Sequence, residues 1–171
     1  MATLGKIALA GGCFWGTQRY FQLLPGVKNT TVGYANGGSD KAPSYEEVKH
    51  GSGHAETVLV EFDSNQITLE ELIKLYFTIV DPFSLNKQGH DVGIQYRTGI
   101  YYFNEDQHTI IDRLLSEWEN KLGQKTVIEV LPLSQFFDAE TYHQDYLIKN
   151  PNGYCHLPKE RFEEARNYGK E

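Results

Sequence analysis

The chemistry-bearing residues of this chain are few, and one of them has an unusual setting. Cys13 lies in the run Gly11-Gly12-Cys13-Phe14-Trp15-Gly16, between glycines and against two large aromatics. Phe14 to about Leu24 reads as a helix stopped by Pro25-Gly26, so Cys13 falls at its N-terminal end. Unpaired backbone N–H groups and the positive end of the helix dipole favour thiolate there and lower the thiol pKa. Gly11 and Gly12 allow the tight backbone that presents a sulfur in a cleft, and Phe14 and Trp15 then form an apolar wall for a substrate group. The bland alternative is a small buried side chain with two core aromatics. Helix-start context tips the balance toward the reactive thiol.

Other polar groups have the types such a thiol would need. Glu56, in Gly53-His54-Ala55-Glu56, precedes the strand pattern Thr57-Val58-Leu59-Val60-Glu61-Phe62 and can project from a strand end into a shared site. A solvated carboxylate is the commoner fate for a glutamate. The glycine-punctuated stretch Gln88 to Arg97 carries His90, Asp91 and Tyr96. A loop of this length often has a functional reason, although a plain connector is the default. Tyr45 follows Pro43, where the chain direction is fixed, and a surface tyrosine would look the same. Cys155 is the one other thiol, set among Pro151, Gly153 and Pro158 in a tail that reads as mobile.

The totals bound the class. The 171 residues suit one domain with a substantial core, and 40% hydrophobic with 23% charged residues is globular composition. A net charge of -7 without a basic run argues against nucleic acid binding. No apolar stretch approaches a membrane span. A signal peptide at the start would cut into the cysteine motif, so the sequence predicts a cytoplasmic protein. Two cysteines are too few for a disulfide framework or a cysteine-only zinc site. Eleven tyrosines are many for this length, and some are candidates for lining a pocket.

The elements that must position these groups alternate between strand and helix. Lys6 to Gly11 reads as a strand, followed by the helix after Cys13, a strand from Val27 leading to Gly38, and another over Ala55 to Asp63. Thr68 and Glu71 form a capping box for a helix whose Leu69, Leu72, Ile73, Tyr76, Phe77 and Val80 share one face. A polar loop over 81–95 leads to a strand in Arg97 to Phe103. A helix over Glu105 to Leu122 follows, stopped by Gly123. Then come a strand in Thr126 to Leu133, a helix in Ala139 to Asn150 ended by Pro151, and an irregular tail with a charged, helix-compatible end. The expected architecture is an α+β sandwich of one domain, 1–171, with helices on one face of a mixed sheet and 152–171 as a C-terminal tail.

Six stretches carry a resemblance. GGCFWG, GYANG, PSYEEV, GHAE, DPFSLNKQGHDVGIQYR and YHQDYLIKNPNGYC occur in the order seen in A-type peptide methionine sulfoxide reductases. The match runs from about Ile7 to Cys155, and GCFWG is nearly diagnostic. The resemblance implies Cys13 as nucleophile, Phe14 and Trp15 as the pocket for the substrate methyl group, and Glu56 as the acid at the sulfoxide oxygen. It implies Tyr45 and Tyr96 as helpers at that oxygen, Asp91 in substrate contact or pocket order, and Cys155 as the recycling thiol. A core related to ferredoxin-like domains, specificity for the S epimer, no metal or organic cofactor, and recycling by thioredoxin or a similar dithiol protein are implied with it. His90 departs from the asparagine common there in relatives, and the chain lacks the further downstream cysteine of some members.

The implied chemistry suits the residue types. A thiolate attacking a sulfoxide sulfur pushes charge onto oxygen, where a protonated carboxylic acid in an apolar site can donate. Oxygen transfer leaves a cysteine sulfenic acid, which a second thiol converts to a disulfide. The competing classes are a cysteine hydrolase with His54, His90 or His143 as base, a weaker metal hydrolase using His54, Glu56, His90 and Asp91, and a non-catalytic α/β binding module.

Overall fold

The computed structural model describes residues 4–169. Its centre is a six-stranded sheet in the order β7-β6-β1-β3-β2-β8. The strands are β1 (Leu4–Ala10), β2 (Val27–Ala35), β3 (Ala55–Asp63), β6 (Gly99–Tyr102), β7 (Glu129–Pro132) and β8 (Phe136–Asp138). Lys87–Gln88 and Asp91–Val92 form a separate small hairpin, β4 and β5. Neighbouring strands of the large sheet are antiparallel except β6 and β7, so the sheet is mixed. Helix α1 (Phe14–Leu23) joins β1 to β2, with β3 lying between those strands, and α3 (Leu69–Phe77) joins β3 to β6, with β1 between them. Two split β-α-β crossovers are thereby interleaved.

Strand alternation sorts the two faces. Ile7 and Leu9 of β1 and Val58, Val60 and Phe62 of β3 join the large core with Phe14, Tyr20 and Phe21 of α1. The same core holds Leu72, Ile73 and Tyr76 of α3, and Ile111 and Leu114 of α4 (Glu105–Leu122). The opposite face is small: Ala8, Ala10, Ala35 and Ala55 surround Tyr101. Helices thus cover one face, as the patterning predicts. Glu56 has the parity of Val58 and Val60, so it points to the helical side where β3 begins. That parity brings a carboxyl under the start of α1.

The Thr68–Glu71 capping box forms in both directions, but α3 ends at Phe77, so the buried Val80 lies beyond it. The helix expected over Ala139 to Asn150 is broken into a 3₁₀ turn, Thr141–His143, and one helical turn, α5 (Tyr146–Lys149). The reason lies in side chains that outcompete helical bonds. Gln144 accepts from the Val32 N–H at 2.9 Å and donates to the Val32 carbonyl at 2.8 Å, lying along the β2 edge like a strand. Asp145 adopts φ 56 and donates its N–H to the Gln18 side chain of α1 at 2.9 Å. The charged end of the tail forms α6 (Lys159–Arg166), whose Ala165 is buried in the large core. Tyr168 beyond it donates to Glu71 at 2.5 Å. Residues 170–171, the last of the expected tail, and residues 1–3, the first of the stretch weighed as a signal peptide, lie outside the described residues. No helix among the described residues is long and apolar enough to cross a membrane.

Candidate active site

Cys13 is the N-cap of α1, in extended conformation (φ -64, ψ 127), after a Gly12 whose φ of 80 favours glycine. The Gly12 N–H donates to the Tyr96 carbonyl at 3.3 Å, which ties the 3₁₀ turn Ile94–Tyr96 to the cysteine. Cys13 is only 6% exposed. Its thiol is pushed well above the ordinary range, by burial first and then by Glu56. The Trp15 N–H at the head of α1 pulls the other way without closing a capping hydrogen bond. The helix-start effect read from the sequence is therefore present but outweighed, because the sulfur has lost its water and faces a carboxyl.

Glu56 lies beside this thiol. Its Oε1 accepts from the Phe14 N–H at 3.2 Å, and its Oε2 is buried without a partner. Burial raises its pKa to about 8, the Phe14 N–H opposes this, and the nearby Asp91 adds to it. The carboxyl is neutral at pH 7 and can donate a proton into the space beside the sulfur. Tyr45 and Tyr96 are both half-buried, and burial first, then proximity to Glu56 and Cys13, raises their pKa, so their phenols stay protonated. Asp91, in the hairpin strand β5, accepts from the Tyr154 hydroxyl at 2.7 Å, while its Oδ2 is buried and unpartnered. His90, at the hairpin turn, is exposed.

The aromatic pair splits in role. Phe14 is 1% exposed and packs with its ring centroid 5.7 Å from Tyr34 and 5.2 Å from His143. Trp15 is partly exposed, stacked on Tyr146 at 3.7 Å with an interplanar angle of 11°, and donates its indole N–H to His143 Nδ1 at 3.0 Å. Trp15→Phe leaves that buried nitrogen without a donor and should lower stability by about 1–3 kcal/mol, read as a lower urea midpoint.

Cys155 is half-buried and packs on α1: a Cβ built on Gly16 would lie 2.8 Å from its sulfur. Both cysteines are free thiols. The tail segment carrying Cys155 is thus held against the turn that presents Cys13, rather than hanging free. The groups that shift the Cys13 thiol are Glu56, the Trp15 N–H, Asp91 and Cys155.

The sequence profile of peptide methionine sulfoxide reductase matches residues 5–170. The chain belongs to that family, in its A type. The Clostridium acetobutylicum peptide methionine sulfoxide reductase MsrA is 52% identical over 156 residues, covering 91% of this chain and 96% of that protein. Among solved structures, reduced Mxr1 from Saccharomyces cerevisiae superposes with a TM-score of 0.84 at 36% identity, covering 91% of each chain. An unusual oxidised form of the same yeast protein matches less well, with a TM-score of 0.65 at 34% identity over 89% of this chain and 86% of that one. Its complex with Trx2 gives 0.60 at 27% identity over 84% of each chain. Membership of a reductase family removes the hydrolase and non-catalytic alternatives.

Several contacts of this candidate site escaped the sequence reading. Glu140 accepts from the Tyr34 hydroxyl at 2.8 Å and the Tyr45 N–H at 3.0 Å, fixing the start of the helix α2 (Tyr45–Lys49). That helix had a legible signal: Ser44 and Glu47 form the same capping box as Thr68 and Glu71. His143 is fully buried among Phe14, Trp15 and Tyr45. Burial lowers its pKa, so it serves as a neutral acceptor for Trp15 rather than as the base considered from the sequence.

Proposed function

We propose that this chain reduces the S epimer of methionine sulfoxide, free and in proteins, to methionine. The observation that carries the reading is a neutral, buried carboxyl, Glu56, beside a buried thiol, Cys13, with the two phenols of Tyr45 and Tyr96 near enough to be shifted by both. The sulfoxide oxygen takes the Glu56 proton, assisted by hydrogen bonds from Tyr45 and Tyr96. The sulfur becomes electrophilic, Cys13 attacks it, and the thiol proton passes to the Glu56 carboxylate. Phe14 and Trp15 shape the space for the methyl group, and Asp91 orders the pocket through its bond with Tyr154. Methionine leaves, and Cys13 remains as a sulfenic acid.

Cys155 then condenses with the sulfenic acid, and thioredoxin or a similar dithiol protein reduces the disulfide. Supporting this, Cys155 also lines an open groove of about 530 Å³ with Arg19, Leu147, Phe162 and Arg166. The yeast relative was captured with Trx2, and its reduced and oxidised forms fit this chain unequally, in keeping with a rearrangement on oxidation. The chain works as one catalytic domain, 1–171, with 152–171 carrying the recycling cysteine, as a cytoplasmic monomer. Chemistry of this kind runs on thiols and needs no cofactor.

Incubation with each sulfoxide epimer and dithiothreitol tests the reading: the S epimer should yield methionine, and turnover of the R epimer alone would refute it. Cys155→Ser should keep a single turnover and lose thioredoxin-supported turnover by about a hundredfold or more. Undiminished thioredoxin turnover would reject the recycling role.

A further inference from the structure

His156 is a buried polar ring that the mechanism above does not use. Both ring nitrogens are shielded from solvent and neither closes a well-formed hydrogen bond, with the Gly11 carbonyl the nearest polar backbone group acting on the ring. A buried unsatisfied imidazole costs stability, so its retention calls for a reason. Three glycines make room for it. A Cβ on Gly12 would lie 2.9 Å from its Nε2, one on Gly16 would lie 3.2 Å from its Nδ1, and one on Gly89 would lie 3.9 Å from its Cβ. The point over Gly16 that Nδ1 approaches is the one that the Cys155 sulfur approaches at 2.8 Å. Gly12 and Gly16 flank the Cys13 turn, so the ring packs against that turn and shares its contact at Gly16 with the Cys155 sulfur.

Cys155 is a poor nucleophile where it rests. Burial raises its thiol pKa, Asp91 raises it further, and only the Leu157 N–H, at 3.3 Å, favours its thiolate. It needs a base to attack a sulfenic acid. The groups facing His156 are the Gly11 carbonyl, Asp91 and Cys155 itself. Burial keeps the ring neutral and so free to take a proton, while Asp91 and the Gly11 carbonyl favour its protonated form once a proton arrives.

We infer that His156 is the proton acceptor for Cys155 in the step that closes the Cys13–Cys155 disulfide. The inference rests on the recycling role given to Cys155 above. The Cys155 S–H proton passes to the imidazole, and its sulfur attacks the Cys13 sulfur. The S–O bond of the sulfenic acid breaks, and the departing hydroxide takes the proton back from the imidazolium. One disulfide and one water form from one sulfenic acid and one thiol, and no outside oxidant or reductant takes part.

The test separates the two half-reactions in a single turnover with methionine S-sulfoxide. Methionine release is followed by rapid quench, and disulfide closure by alkylation and mass analysis, for wild type, His156→Gln and His156→Gly. The variants should release methionine as fast as wild type, which also shows that they fold. Closure by His156→Gln should be slowed about a hundredfold at pH 7 and should recover about tenfold per pH unit as hydroxide replaces the base. Added imidazole should restore closure in His156→Gly. Closure at the wild-type rate with the wild-type pH profile overturns the inference. So does slowing that is equal at every pH and indifferent to imidazole, which would mark a structural role. If wild type forms no Cys13–Cys155 disulfide at all, the recycling role of Cys155 fails, and the inference falls with it.

Discussion

Cys13→Ser ends methionine formation, with an expected loss on the order of 10⁴-fold or more, because the reaction routes its electrons through one sulfur. Serine keeps the extended N-cap geometry and is a good cap, so the fold should be intact. Its oxygen is a poor nucleophile toward a sulfoxide and cannot carry the transferred oxygen as a sulfenic acid. The resting thiol makes the effect more informative. Cys13 is held un-ionised by burial and by Glu56, so activation must come with substrate. A sulfoxide that takes the Glu56 proton brings a positive sulfur to the thiol, and that charge, with the Glu56 carboxylate ready to accept the thiol proton, offsets the burial. The variant's methionine output, measured beside its thermal unfolding, distinguishes lost chemistry from lost structure.

Glu56→Gln should reduce turnover by about 10²- to 10⁴-fold at neutral pH, the usual scale for removing a general acid. Wild-type activity should fall as pH rises past about 8, where the Glu56 carboxyl ionises, and the variant should lack that limb. The substitution should move stability in the opposite sense to turnover. The folded carboxyl titrates near 8 and the ordinary value is 4.5, so the folded chain binds the extra proton between those values. Stability is then fully present below about pH 4.5 and falls as pH rises through that window. At pH 7 the burial costs on the order of 3 kcal/mol. Glutamine keeps the acceptor for the Phe14 N–H and carries no charge, so Glu56→Gln should unfold at higher urea than wild type at pH 8 and match it near pH 4. A slower but more stable variant identifies a group kept for chemistry against folding; equal activity at neutral pH would remove the proton-donor role.

The site was legible in the sequence where a local pattern fixes a direction. Cys13 could be placed because Pro25-Gly26 stops α1 and the glycines open it, and Glu56 because alternation through Val58 and Val60 gives its face. The α+β order followed from the same periodicities. Long-range contacts were not legible. No spacing shows that Gln144 replaces a strand on the β2 edge, and that bond is what breaks the helix expected over Ala139 to Asn150. The sign of the Cys13 shift was hidden for a similar reason. The helix start is local, whereas burial and Glu56 arrive from 43 positions away in the chain, the difference between 13 and 56. The resting place of Cys155 on Gly16 depends on α6 being anchored by Ala165 and Tyr168, contacts that a proline- and glycine-rich tail conceals.

Thiolate attack at Cys13 with oxygen transfer to its sulfur is tested most directly by one measurement on Cys155→Ser. The variant is mixed with excess methionine S-sulfoxide without reductant, and both the methionine released and the mass of the Cys13 peptide are read. One methionine per chain, with the mass of one oxygen gained at Cys13, is the expected result. Methionine formed without any modification of Cys13 would contradict it.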